Sequence, residues 1–466
     1  MSETTLTITP ELIRRHDRPG PRYTSYPTAD RFHGGIDEQA YRAALGRAAQ
    51  RPDAPLALYL HLPFCRSLCL YCGCSVYITK SESRMARYLR YLEREMDLVQ
   101  AELGERRTVT QLHLGGGTPN YHAPEDLAAL VGAIRARFDV TPDCELAIEV
   151  DPRHASEAQI AALAEIGFNR LSMGVQDLDP VVQQAIGRVQ TREETALVAR
   201  EARRNGFRSV NMDLIYGLPF QTVERFRATI ESVLELRPDR VALYSFAWVP
   251  WLKRQQTKLD EAALPDADTK VSLYTLARTM FEEAGYVTIG MDHFALPEDE
   301  LSEALRAGRL RRNFQGYTTL STDDVVAFGV TGIGDVGGTW VQNTRDLEAW
   351  ERALDAGRLP VERGWERSGE DDVRRFVIHE LMCNFRITDE DLVPRFGRAL
   401  ASFPTELGAL RVLADEGLVE LVGPADAVHE VRVTPLGRLF VRVVALPFDE
   451  HLRNAPPQRP AYSRTI

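Results

Sequence analysis

Cys65, Cys69 and Cys72 form a Cys-x-x-x-Cys-x-x-Cys run just after the apolar stretch Leu56–Leu62. Three thiolates within eight residues can reach three corners of one small cluster, because extended chain covers up to about 3.3–3.6 Å per residue. A cubane iron–sulfur cluster is normally held by four cysteine thiolates. A loop that offers three leaves one iron open to a small chelating molecule, which is how a reactive cofactor is held. Spacing alone leaves a second reading open, a structural zinc site completed by Cys74 or His61. Cys74 lies two residues past Cys72, where alternate side chains of extended backbone share a face, so geometry keeps it as a candidate fourth ligand. Cys144 and Cys383 stand alone and read as ordinary buried thiols.

Further polar positions recur at the ends of apolar runs. Gly115-Gly116-Gly117-Thr118-Pro119 would let backbone approach a ligand closely and would expose amide N–H groups for a carboxylate. Glu149, Asp151, Gln176 and Asp213 are the residue types that bind ribose hydroxyls in nucleotide sites, and Arg188 could meet a carboxylate bidentately. Singly, each is explained as well by a turn, a cap or a salt bridge. Together they outline a site for a nucleoside bearing an amino-acid tail.

The elements that must position these groups read as repeated βα units. Strand candidates are Leu56–Leu62, Gln111–Leu114, Glu145–Val150, Arg170–Val175, Ser209–Ile215 and Arg240–Phe246. Several are apolar nearly throughout, as parallel strands covered on both faces must be. Charge-rich amphipathic stretches such as Ser83–Leu103 and Thr191–Asn205 lie between them and predict helices. The pattern predicts an α/β fold, a partial (β/α)6 TIM-like barrel open on one side, with function gathered at the carboxyl ends of the strands.

Residues 1–54 predict an N-terminal arm, ordered because the aromatics of the run Gly20–Thr28 have no reason to stay in water. The barrel is expected over 55–290, including a strand at Tyr286–Met291, and an extension with a connecting segment over 291–370. Residues 371–466 predict a small, mainly helical, winged-helix-like domain: helices Val373–Asn384 and Leu407–Glu416, then strands Leu418–Val422 and Glu430–Thr434. With 466 residues, 44% hydrophobic and 26% charged, the composition is that of an ordinary globular protein. A net charge of −11 argues against broad nucleic-acid binding. Met1–Pro10 lacks the regions of a signal peptide and no apolar run reaches membrane-helix length, so a cytoplasmic protein is expected, with no nucleic-acid or membrane partner. Few cysteines in so long a chain exclude a disulfide scaffold.

The run from Tyr59 to Cys74 resembles the cluster loop of the radical S-adenosylmethionine enzymes. More narrowly, the chain resembles the oxygen-independent coproporphyrinogen III oxidases (coproporphyrinogen dehydrogenases) of haem and porphyrin biosynthesis. The resemblance rests on GPRYTSYPT at Gly20, LHLGGGTP at Leu112, IEVDPR at Ile148 and GFNRLSMGVQD at Gly167. It continues through DLIYGLP at Asp213, GMDHFA at Gly290, RNFQGYTT at Arg312 and CNFR at Cys383. Related haem chaperones share the three-cysteine loop but generally lack the Cys-Gly-Cys ending and the arm, both present here.

This resemblance implies one [4Fe–4S] cluster on Cys65, Cys69 and Cys72, with S-adenosyl-L-methionine on the fourth iron and Cys74 not a ligand. It implies a first S-adenosylmethionine against Tyr59, Gly116, Glu149 and Ile333, and a second against Tyr71, Gly117, Thr118, Gln176, Arg188, Asp213 and Ala247. It further implies an oxidoreductase in which a 5′-deoxyadenosyl radical takes hydrogen from two propionate side chains of coproporphyrinogen III. The carboxylate of each then leaves as CO₂ and one electron passes to the acceptor, giving the vinyl groups of protoporphyrinogen IX, with no side chain acting as catalytic acid or base. An unidentified low-potential electron donor, a terminal electron acceptor and a monomeric chain are part of the same expectation. A substrate with four propionates calls for cations and hydroxyls, and Arg22, Tyr23, Thr24, Tyr26, Arg311 and Arg312 are the candidates. The competing expectations are a haem chaperone on the same scaffold and a zinc-stabilised nucleotide-binding protein.

Overall fold

The computed structural model describes residues 10–16, 18, 20–319, 322 and 324–454, so the expectations for Met1–Thr9 and for 455–466 of the C-terminal domain lie outside the described residues. Six parallel strands follow the apolar runs: β1 (Leu56–Leu62), β2 (Thr108–Gly116), β3 (Asp139–Val150), β4 (Arg170–Gln176), β5 (Ser209–Tyr216) and β6 (Arg240–Ser245). β1 has no polar side except His61 because its two faces meet the barrel interior and the outer helices, and six of its seven residues are buried. The intervening helices start where short polar side chains can cap them. Ser81 accepts from the Arg84 amide to open Glu82–Leu103, and Thr191 with Glu194 forms a capping box at Arg192–Arg204. Among the described residues no helix is long and apolar enough to cross a membrane.

The sheet is larger than six strands. Asp324–Phe328 pairs in parallel with the free edge of β1, and Ile333–Val336, Thr339–Asn343 and Val361–Glu366 continue outward antiparallel. Gly337 and Gly338, both at positive φ, form the two-residue turn of the hairpin 333–343. Beyond β6 the sheet ends in His293–Ala295 and Val287–Thr288. The strand expected at Tyr286–Met291 is thus only Val287–Thr288, because Gly290 turns the chain at φ 98° against the Tyr317 hydroxyl.

A second core lies outside the barrel. Helix Gly369–Asn384, strand Arg386–Thr388, helices Asp389–Phe396 and Pro404–Asp415, and strands Val419–Val422 and Glu430–Val433 follow in winged-helix order. Tyr23 and Tyr26 of the arm are buried in this core, and Arg442 Nε donates to the Pro21 carbonyl at 3.1 Å. The arm therefore joins the C-terminal segment to the barrel.

One buried ion pair holds the amino end of the barrel. Arg106, fully buried, meets Asp324 Oδ2 at 2.6 Å and donates to the carbonyls of Ala48 and Ala54 at 2.9 Å. Asp324 also accepts from the Gly337 amide at 2.6 Å. Arg51 Nη2 also meets Asp324 Oδ2 at 2.5 Å, so loss of Arg106 leaves the carboxylate one cation and costs less than the about 3–5 kcal/mol of a buried charge with no partner. Arg106→Met should lower unfolding free energy by about 1–3 kcal/mol in urea titration, and a loss under about 1 kcal/mol would show Arg106 to be dispensable.

Candidate functional site

The cysteine loop is held at the carboxyl end of β1 by a short parallel pairing of Phe64–Cys65 with Tyr77–Ile78. The Tyr77 amide donates to Pro63 at 2.7 Å and the Thr79 amide to Cys65 at 3.1 Å. Within the loop the Cys72 amide donates to Cys69 O at 3.2 Å, and Leu70 is tied to Ile186 O at 2.9 Å. Donors converge on the sulfurs: Thr118 Oγ1 is 3.2 Å from Cys65 Sγ, and Arg153 Nη2 and Arg188 Nη1 lie 3.8 and 3.9 Å from Cys69 Sγ. Burial pushes the Cys65 thiol up to about 11. Hydrogen bonds from Cys74, its amide at 3.4 Å among them, bring Cys72 down to about 7. Cys74 is exposed, whereas Cys69 is buried. Among the described residues no three His, Cys, Asp or Glu side chains close around one point as a single-ion site requires.

The second strand end abuts this loop. Gly117 N donates to Leu62 O at 2.8 Å and Gly116 N to Glu149 Oε2 at 3.1 Å. The expectation that the glycine run exposes its amides is therefore corrected at Gly116 and Gly117, whose N–H groups hold the loop to β1 and to Glu149. The glycines are needed for close approach instead, since a Cβ at Gly117 would lie 2.6 Å from the Pro63 carbonyl carbon.

Glu149 and Asp213 project from β3 and β5. Burial opposes ionisation of Glu149, but hydrogen bonding to His113 Nε2 at 3.4 Å and to Gly116, with His61 nearby, holds it below the ordinary carboxylate range. Asp213 is different. Burial and the charge of Glu149 push it up to about 7, against hydrogen bonds from Asn211 Nδ2 at 2.7 Å and Ser172 Oγ at 3.4 Å. Tyr59 stacks on His113 at 5.8 Å, and its hydroxyl lies 3.0 Å from His61 Nδ1. His61 Nε2 must donate to the Ser75 carbonyl at 3.0 Å, so Nδ1 accepts from Tyr59.

Arg188 is buried and bridges Asp151 Oδ2 at 3.0 Å, the Gly174 carbonyl at 2.8 Å and Cys69, while its Nε has no partner. Arg153 and Arg188 hold Asp151 down to about 2 against the effect of burial. Gln176 ends β4 at φ 68°, a left-handed backbone that non-glycine residues adopt at a cost. Buried Gln256 donates to Tyr71 O at 3.2 Å and Ala247 O at 3.1 Å, fixing both beside the loop. Gln256, Arg153, His113, Asn120 and Asn211 were not singled out from sequence. Two of them lie in motifs that also hold chosen residues, Arg153 in IEVDPR and His113 in LHLGGGTP.

Ile333 opens the strand Ile333–Val336, four strands from Glu149 in the sheet order. It lines a cavity of about 540 Å³ together with Tyr23, Thr24, Tyr26, Arg311 and Arg312. Arg312 is buried, 3.5 Å from Asp292 and 4.5 Å from the Tyr317 ring centroid, with Nε and Nη1 unmatched by any hydrogen bond. Arg311 meets Glu380 at 2.8 Å, and Tyr23 donates to Asp449 at 3.1 Å. Tyr26 O accepts from Trp340 at 3.0 Å. Arg22 is placed elsewhere, paired with Asp292, over the Tyr244 ring and on a separate polar cavity of about 40 Å³. Arg51, Arg367, Arg375 and Arg395 also line the larger cavity.

The Radical SAM superfamily model matches residues 59–233. An oxygen-independent coproporphyrinogen III oxidase from Pseudomonas aeruginosa is 42% identical over 459 residues, 98% of each chain. One from Escherichia coli is 40% identical over 443 residues, 95% of each chain. The solved coproporphyrinogen III oxidase from Escherichia coli, described as a radical SAM enzyme, superposes with a TM-score of 0.90 at 38% identity, covering 96% of this chain and all of that one. The chain belongs to the oxygen-independent coproporphyrinogen III oxidase family of radical SAM enzymes.

Proposed function

We propose that this chain converts coproporphyrinogen III to protoporphyrinogen IX by oxidative decarboxylation of two propionates without oxygen. The observation that carries the reading is a three-thiolate loop beside half-buried nucleoside-type carboxylates, in a chain that aligns end to end with oxidases of that name. The residues fit an anionic cluster and a charged nucleoside. Thr118, Arg153 and Arg188 aim donors at cysteine sulfurs, and Arg188 Nε and Asn211 Oδ1 are buried without partners. Cys65, Cys69 and Cys72 would hold the [4Fe–4S] cluster. Together with S-adenosylmethionine the cluster would supply 5′-deoxyadenosyl radical chemistry to the site.

The chain's own contribution is positioning and charge. Ionised Glu149 offers an acceptor to an ammonium group, and Gly116 and Gly117 let the ligand lie close to backbone. We assign Tyr59, Gly116, Glu149 and Ile333 to a first S-adenosylmethionine. Tyr71, Gly117, Thr118, Gln176, Arg188, Asp213 and Ala247 are assigned to a second. Asp213, poised near neutrality, gains by accepting hydrogen bonds from ribose hydroxyls, which stabilise its ionised form. The cation-lined cavity is assigned to the propionates, with Arg312 offering an unmatched donor at Nε while its Nη1 faces Asp292.

The reading is tested with reconstituted protein, coproporphyrinogen III, S-adenosylmethionine and a reductant under argon. Protoporphyrinogen and 5′-deoxyadenosine should form together, whereas retained haem with neither product would favour the chaperone. Serine at Cys65, Cys69 or Cys72 should abolish the cluster absorbance and turnover. Cys74→Ser should keep the cluster, and its loss there would overturn the three-ligand assignment.

Arg312→Gln should raise KM for coproporphyrinogen about tenfold or more while leaving cluster content intact. An unchanged KM would remove Arg312 from the substrate wall.

Asp213 has a folded pKa above its unfolded value, so the folded state binds the extra proton. Its effect is absent below the unfolded value near 4 and destabilises the fold fully above about 7. Asp213→Asn should therefore stabilise the cofactor-free chain by roughly 1–3 kcal/mol at pH 8 and little at pH 4. The same change should weaken S-adenosylmethionine binding in a calorimetric titration. A variant less stable at pH 8 would contradict the assignment of Asp213.

A further inference from the structure

Nine large apolar side chains are exposed among the described residues, and besides Ile78, which pairs with Cys65, six of them sit on segments at the cysteine-loop end of the barrel. These are Leu68 of the loop, Val181 and Val189 flanking Ile186, Phe220 after β5, and Trp251 and Leu252 after β6. Their segments are physically joined. Leu70 N donates to Ile186 O at 2.9 Å, Phe220 N to Ala263 O at 2.8 Å, and Gln255 Nε2 to Cys72 O at 2.6 Å. Beneath them Val182, Ile186, Leu218, Phe246 and Leu259 form one small core packed by Leu70 and Tyr71. Trp251 and Leu252 are 52% and 61% exposed, and a clustered apolar surface of this kind marks an interaction site.

On the two segments of this patch nearest the cysteines the charge runs against that of the molecule, while Asp179, Glu224 and Asp260 lie on its other side along the Val181, Phe220 and Leu259 segments. Residues 66–80 and 247–258 hold five cations, Arg66, Lys80, Lys253, Arg254 and Lys258, and no carboxylate, in a chain of net charge −11. Lys253 Nζ lies on the Cys74 carbonyl at 3.1 Å, so the positive rim reaches the loop that carries the ligand cysteines. Electron transfer slows steeply with distance, so a donor must dock against this loop.

We infer that the patch of Leu68, Val181, Val189, Phe220, Trp251 and Leu252, rimmed by Arg66, Arg254 and Lys258, is the docking surface for an acidic one-electron carrier protein. The inference rests on the reading that this chain holds a redox cluster, and it names the partner of that site. One electron leaves the reduced carrier, which is oxidised by one, and enters the cluster, which is reduced by one. No bond forms or breaks in the transfer. A small apolar centre with a charged rim suits such a partner, because redox complexes are small and transient and complementary charge sets their association rate.

The experiment follows cluster reduction by stopped flow in reconstituted protein without coproporphyrinogen, using a photoreduced, acidic plant-type ferredoxin or dithionite as reductant. Arg254→Glu/Lys258→Glu and Trp251→Ser/Leu252→Ser should each lower the ferredoxin rate constant about tenfold or more, with dithionite rates and iron content unchanged. The wild-type ferredoxin rate should fall between about 0.05 and 0.3 M salt, and the charge variant should lose that dependence. Unchanged ferredoxin rates, or equal losses with both reductants, would overturn the proposal. So would self-association or flotation with phosphatidylglycerol vesicles that the variants abolish while ferredoxin rates hold. Wild-type protein that ferredoxin reduces but that yields no protoporphyrinogen would sink the substrate reading and leave the docking surface standing.

Discussion

Three sulfur atoms that must carry negative charge are held at the carboxyl end of a parallel barrel, and the compensation of that charge organises everything around them. Arg188 is the centre of the arrangement. It is buried, contacts Cys69 and Asp151, and donates to the backbone of Gly174 in β4. Asp151 is in turn fixed by Asn120, whose side chain accepts from the Asp151 amide at 2.8 Å and donates to its carbonyl at 3.2 Å. One cation thus ties the cysteine loop, the end of β3 and the end of β4 into a single unit. Taking such a guanidinium out of water is costly unless every neighbour is polar or anionic, which is why Asp151 and two sulfur-directed arginines occur together.

The same electrostatics separate the two carboxylates of the site. Glu149 has a histidine and a backbone amide to stabilise its charge and stays ionised. Asp213 has neutral donors only and Glu149 as a negative neighbour, so its proton affinity rises. Two acids of similar burial therefore present different faces to a ligand, one a fixed anion and the other a group whose charge a hydroxyl-bearing ligand can secure. Environment makes that division, since the intrinsic pKa values differ little.

The α/β partial barrel with its arm and mainly helical C-terminal domain was legible in the sequence, and for a physical reason. Strands buried on both faces must be apolar throughout, so Leu56–Leu62 was bounded to the residue. The cysteine spacing, by contrast, left iron and zinc both open until kinship was considered. The four strands between Asp324 and Glu366 were not read, because they are short and carry polar residues such as Gln342 and Asn343 that the fold buries and satisfies internally. The cations of the large cavity were half legible. Arg311 and Arg312 lie in one motif, but Arg51, Arg367, Arg375 and Arg395 come from segments that only the closed chain brings together. The glycine run was read for close approach and for free amides, and the second reading failed at Gly116 and Gly117. Its amides serve the protein's own backbone and Glu149.

Charge also explains how an acidic protein can take a tetra-anionic substrate. The cavity reaches Arg51 and Asp324 beside the first residue of β1, whereas the cysteines follow its last. Seven residues of strand span about 20–24 Å, so the far wall of the cavity and the cluster loop are at opposite ends of the barrel. Positive charge is concentrated at both places, inside the cavity and on the rim of the loop, and the negative excess is left to the outer helices. A substrate lodged from the cavity side then leaves the loop face clear. With the cavity assigned to the propionates, the reacting one must extend from it along the barrel to the cysteine end, because hydrogen-atom transfer requires contact between the reacting atoms.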